Sequence, residues 1–154
     1  MAEAVTSLDW FLNRVRERTR RIVEASQQPL TPICFICTGQ RNGFTGDLMV
    51  PLTVPDSLWR LVLTKHIRRY HPLAYALVAE VVSTVDLDAV KYGMETIPKD
   101  DQEEEIMIAI VQRGRQPKME MGKIKHTTQG RRLEAFREMK SEAAFFEENL
   151  VLKW

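Results

Sequence analysis

The chain has 154 residues, 44% hydrophobic and 28% charged, the size and mixture of one globular domain, which excludes a disordered or low-complexity protein. A formal net charge of +1 gives no overall pull toward nucleic acid or an anionic surface, so any such attraction must come from local clusters. Met1 to Ala4 lack the basic start of a secretory signal, and no apolar run approaches the roughly 18–20 residues that span a bilayer. The expectation is a soluble, cytoplasmic, single domain over residues 1–154, with no membrane partner and with Cys34 and Cys37 held as reduced thiols.

Residues 6–27 predict an amphipathic helix. Leu8, Phe11, Leu12, Val15, Ile22 and Val23 recur at helical spacing as one apolar stripe. Thr6 or Ser7 is the expected N-cap, Asp9 complements the positive end of the helix dipole, and Pro29 stops the segment. The polar face carries Arg14, Arg16, Arg18, Arg20 and Arg21 with Glu17 and Glu24 interleaved.

A β-hairpin follows. Residues 32–38 form a short apolar run suited to a strand covered on both faces, and 39–43 are rich in turn formers. Between 46 and 54, Leu48, Val50, Leu52 and Val54 alternate with Met49, Pro51 and Thr53, the two-residue period of a half-buried strand. Pro51 cannot donate to a ladder, so this strand belongs at an edge. A second helix runs from Pro55-Asp56 to about Tyr70, capped by Asp56 or Ser57. Leu58, Trp59, Val62, Ile67 and Tyr70 are its candidate core residues.

Residues 73–82 suit a buried strand, although Pro72 would also serve as the first residue of a helix; the strand is the preferred reading. No period holds over 85–104, whereas 106–111 are apolar on both faces and read as a central strand. Segments 118–127 and 131–140 form an expected hairpin about Thr128-Gln129-Gly130, with Gly130 supplying positive φ. Ser141-Glu142 opens a short last helix over 141–149, in competition with a helical reading of 131–149. The sum is an α+β fold: a mainly antiparallel sheet with an N-terminal helix and one or two further helices packed on it.

The chemistry-bearing patterns are few. Cys34-Phe35-Ile36-Cys37 matches a metal or redox spacing, but the run reads as a strand. Positions three apart on a strand point to opposite faces, so both cysteines are expected as core residues. His66 and His71 are five apart, about 140° around a helix, and do not converge on a zinc ion with those thiols. The phosphate-loop, dinucleotide, nucleophile-elbow and zinc-hydrolase strings do not occur, and no cofactor is called for. Asp86 with Asp88, and Asp100 with Asp101, read as solvated loop acids.

Charge segregation carries the most information. Residues 57–79 contain Arg60, Lys65, Arg68 and Arg69 and no acid; 80–105 hold nine acids against Lys91 and Lys99; 113–132 return seven bases with Glu120 the only acid. A basic surface of Arg68, Arg69, Arg113, Arg115, Lys123, Lys125, Arg131 and Arg132 would hold phosphates, unless the acidic block lies over the basic hairpin and neutralises it. Three functions compete: a non-catalytic binding or assembly module for a protein partner or a second copy joined along the 46–54 edge, a nucleic-acid binder using the basic helix and hairpin, and an enzyme with His66 or His126 as base. The first is the preferred expectation.

Overall fold

The computed structural model describes residues 8–41, 44–84, 102–139, 146, 150 and 151. Helix α1 spans Asp9–Ala25 and buries Phe11, Val15, Thr19 and Val23, a strict four-residue spacing that places one side chain per turn on the sheet. The apolar stripe is therefore narrower than expected: Leu8, Leu12 and Ile22 pack only at its margins. Thr6 and Ser7 lie outside the described residues.

Strands β1 (Ile33–Arg41) and β2 (Phe44–Pro51) pair antiparallel as the expected hairpin, with a register shift between Cys37 and Gly39. Pairing continues into the predicted turn, through Arg41 opposite Phe44. At the other end it stops at Pro51 rather than at 54, where the Leu52 amide donates to the Pro32 carbonyl at 2.7 Å.

The chain then takes a single 3-10 turn, Asp56–Leu58, into α2 (Trp59–Tyr70). Neither Asp56 nor Ser57 caps it: no side-chain hydrogen bond closes the turn or the helix start. Starting α2 at Trp59 sets its buried stripe to Trp59, Leu63 and Ile67, so Leu63 enters the core and Leu58 is left 43% exposed, contrary to expectation. The helix closes on His71 in the left-handed region, φ 46°, with its amide donating to the Ile67 carbonyl.

Of residues 73–82, all but Leu73 are strand, within β3 (Ala74–Thr84), and the central strand β4 runs over Gln102–Gln112. Strands β5 (Lys118–Thr127) and β6 (Gly130–Leu133) make the predicted hairpin, with Gly130 at φ 122°. The expected continuation to 140 is broken, because β7 (Arg137–Met139) pairs with β5 in a register offset from that of β6. Ile124 faces Leu133, whereas Met121 faces Arg137, leaving three residues on one strand against two on the other. The Phe136 ring lies over Gly122 at this break, and a Cβ on Gly122 would fall 3.0 Å from it. Of the segment 85–104, which shows no period in sequence, residues 102–104 belong to β4 and 85–101 lie outside the described residues; of the predicted helix 141–149 only Phe146 is described.

The sheet is antiparallel throughout, in the order β2-β1-β3-β4-β5-β6, with β7 beside β5. It is an α+β architecture with helices on both faces. Phe35, Cys37, Ala76, Val78, Ile106 and Ile108 face α1, while Cys34, Ile36, Tyr75, Leu77, Met107 and Ala109 face α2 with Phe146 and Leu150. The wholly apolar runs seen in β1, β3 and β4 follow from this double cover. Among the described residues no helix is long and apolar enough to cross a membrane.

Candidate functional site

The eight residues of the expected basic surface separate into two groups. Arg113 donates its amide to the Leu73 carbonyl at 3.0 Å, which fixes the turn after β4 beside the exit of α2. Arg113 and Arg115 thus lie at the same end of the sheet as Arg68 and Arg69. Lys123 instead faces Glu105, eight residues back along β4, a distance of roughly 25 Å at the strand rise. Lys125, Arg131 and Arg132 lie still nearer that far end, toward the β5–β6 turn.

The far group is engaged with acids. Arg131 is 2% exposed, and its guanidinium donates to Glu80 and to the Gln28 carbonyl. Glu80 also accepts from the Leu30 amide at 3.1 Å, so the pair is built into the core rather than offered to a ligand. Lys125 meets Glu134 at 2.8 Å; that hydrogen bond raises the lysine pKa and lowers the glutamate pKa. Arg132 lies 3.6 Å from Glu24, and His126 lies 2.9 Å from Glu104. Arg137 pairs with the buried Glu105 at 2.7 Å. Neutralisation of the hairpin comes in part from the two ends of the acidic block, through Glu80, Glu104 and Glu105, and in part from Glu24 and Glu134.

Four of the five arginines of α1 are similarly used. Arg14 and Arg18 reach Asp47 of β2 at 3.2 and 3.3 Å, and Arg16 makes a two-pronged contact with Glu120 of β5. The hydrogen bond to Glu120 raises the Arg16 pKa. Arg21 pairs with Glu17 one turn away.

The near group differs because its helix carries no acid. Arg60, Leu61, Lys65, Arg68 and Arg69 are exposed on the outer side of α2, with Leu58 43% and Leu61 57% exposed. Arg69 lies 5.2 Å from the centre of the Tyr70 ring, and Tyr70 stacks on His66 at 6.1 Å and 17°. Among the described residues no carboxylate pairs with Lys65 or Arg68. Two large apolar side chains and a row of cations thus share one helix face. Sequence reasoning places Leu58 in the core and assigns Leu61 no role; the run of bases without acids is the signal that survives.

The remaining reactive groups sit in settings that limit them. Cys34 and Cys37 are both buried and belong to opposite faces of β1, and burial pushes the Cys34 thiol far above its ordinary pKa. Among the described residues no three His, Cys, Asp or Glu side chains are grouped for a metal ion. His126 is exposed on the hairpin, and neither of two surface cavities is lined by a histidine. One, of about 350 Å³, lies between the start of α1 and Arg115 and Lys118; the other, of about 470 Å³, lies under the end of α1. Compared with protein-family models, with curated proteins and with solved structures, the chain matches none.

Proposed function

We propose that the chain is a non-catalytic binding module that takes an acidic, amphipathic segment of a partner protein along the outer face of α2. The observation that carries this reading is the coincidence of exposed Leu58 and Leu61 with Lys65, Arg68 and Arg69 on a segment devoid of acids from 57 to 79. Exposed leucines offer apolar contact, which a phosphate backbone does not use, while the cations select the sign of the partner and speed its approach. The basic hairpin contributes little to a nucleic-acid reading, because Arg131 is buried and Lys125 and Arg132 are near acids.

The test is fluorescence anisotropy with a synthetic helical peptide carrying Leu and Glu on one face. Leu61→Ser and the pair Lys65→Glu with Arg68→Glu should each weaken binding by about tenfold or more, as truncation of interface anchors does. A peptide affinity unmoved by Leu61→Ser overturns the proposal. Preferential binding of an oligonucleotide, with a steep loss in salt, replaces it with the nucleic-acid reading.

A further inference from the structure

Away from the outer face of α2, four methionines meet on three neighbouring strands. Met107 of β4 stands directly opposite Met121 of β5, and Met119 of β5 stands directly opposite Met139 of β7. Directly opposed residues of an antiparallel pair share a face, and so do residues two apart on one strand, so all four side chains belong to one array. Met107, Met119 and Met121 pack in the cluster of Cys34, Tyr75 and Leu77, which places the array on the α2 side of the sheet. Its exposure rises toward the sheet edge: Met107 is buried, Met119 and Met121 are half-buried, and Met139 is 38% exposed.

Opposed Cβ atoms stand roughly 4.5–5.5 Å apart and neighbours two apart on a strand about 7 Å, gaps that flexible, unbranched side chains close readily. Packing accounts for Met107, but not for thioethers carried outward to the surface at Met139. We infer that Met119, Met121 and Met139 form a surface site for a soft monovalent metal ion, copper(I), with Met107 beneath it. The donors decide the metal. Thioethers are neutral and soft, and such ligands select copper(I), whereas hard divalent ions take oxygen. Glu105, two residues before Met107 on the same face, is already held by Arg137 at 2.7 Å and is not left to compensate a divalent charge. The same pairing neutralises Arg137, which stands opposite Met121. Glu120 and Glu138 alternate to the other face of the sheet.

The probe is copper(I), titrated without oxygen into the full chain carrying isotope-labelled methionine methyls. The methyl resonances of Met119, Met121 and Met139 should shift together and saturate at one ion per chain, while Met49 on β2, 46% exposed, stays in place. Zinc(II) should move none of them. Leucine conserves the volume of methionine and removes the sulfur. Met119→Leu and Met139→Leu should therefore keep the native spectrum and each weaken copper(I) binding by about tenfold or more, at least what loss of a contact supporting a metal ligand costs. Met49→Leu should bind as the unsubstituted chain does. Copper(I) taken up with these three methyls in place, a Met49 shift that tracks theirs, or an affinity unchanged in both ligand variants overturns the inference. If either variant unfolds, the methyl titration of the unsubstituted chain decides alone.

Discussion

The two helices are both basic, yet they are attached to the sheet in different ways. Helix α1 is bracketed by ion pairs and a hydrogen bond: Arg14 and Arg18 hold Asp47 on β2, Arg16 holds Glu120 on β5, and Glu24 accepts from the Leu133 amide on β6. Helix α2 is seated by Trp59, Leu63 and Ile67, and Lys65 and Arg68 find no carboxylate among the described residues. A count of bases does not separate these cases. What separates them is where the acids stand once the strands are in register. Near α1 the sheet supplies Asp47 and Glu120, whereas the face under α2 is filled by Cys34, Ile36, Tyr75 and Leu77. A basic segment becomes a candidate recognition surface when the fold leaves it no internal partner.

The contrast can be broken most severely at Arg131. Replacing it with Met strands the Glu80 carboxylate in the core and should cost about 3–5 kcal/mol in urea unfolding, as loss of one partner of a buried pair does. A loss below about 1 kcal/mol, the range of exposed pairs, would return Arg131 to the surface. The α2 side has its own polar tie: the Tyr75 hydroxyl donates to the Val151 carbonyl at 2.5 Å and accepts from the Val151 amide at 2.8 Å. Tyr75→Phe should therefore destabilise by about 1–3 kcal/mol and speed amide exchange at Val151.

Alkaline pH should probe that same side. Burial raises the pKa of both Cys34 and Tyr75, so the folded chain keeps protons that the unfolded chain releases above roughly pH 8.5 for the thiol and pH 10 for the phenol. Their stabilising contribution is complete below those values and declines as pH rises, by about 1.4 kcal/mol per pH unit for each group. Cys34→Ala should flatten the part of the decline that begins near the thiol range, and equal slopes in both proteins would contradict it. The smallest effect belongs to the outer face of α2, where Lys65→Glu with Arg68→Glu should change stability by less than about 0.5 kcal/mol while weakening peptide binding.

The sheet was legible in the sequence because apolar runs and turn residues are local signals. The strand at 73–82, the edge position of β2, the divergence of Cys34 from Cys37 and the Gly130 turn all follow from spacing of two residues or from backbone chemistry. Thr19 was not legible, since a polar residue on the buried stripe breaks the expected pattern although it fits the four-residue spacing of Phe11, Val15 and Val23. The pairing of Arg16 with Glu120 joins positions 104 residues apart and depends on how α1 crosses the sheet. Arg131 looked identical to Arg132 on paper; alternation along β6 sends only the former into the core. The candidate site was half visible, as the acid-free stretch of bases, and its apolar half appeared only when the buried stripe of α2 proved to be Trp59, Leu63 and Ile67, leaving Leu58 and Leu61 outside.

The double cover of β4 has a consequence for how this protein reaches its folded state. Its partners β3 and β5 differ in reach: the nearest pair with β3 joins Thr84 to Gln102, whereas the nearest with β5 joins Ile110 to Lys118. Long-range antiparallel pairing of this kind is slow relative to helix and hairpin formation. Until β3 arrives, Ile106 to Val111 is an uncharged apolar segment with strong strand propensity, the composition that seeds intermolecular stacking. Glu103, Glu104 and Glu105 immediately precede it and Arg113 follows closely. Charges so placed act as gatekeepers during synthesis and refolding. Neutralising the three glutamates should therefore lower the yield of refolded protein more than it lowers the stability of what does refold.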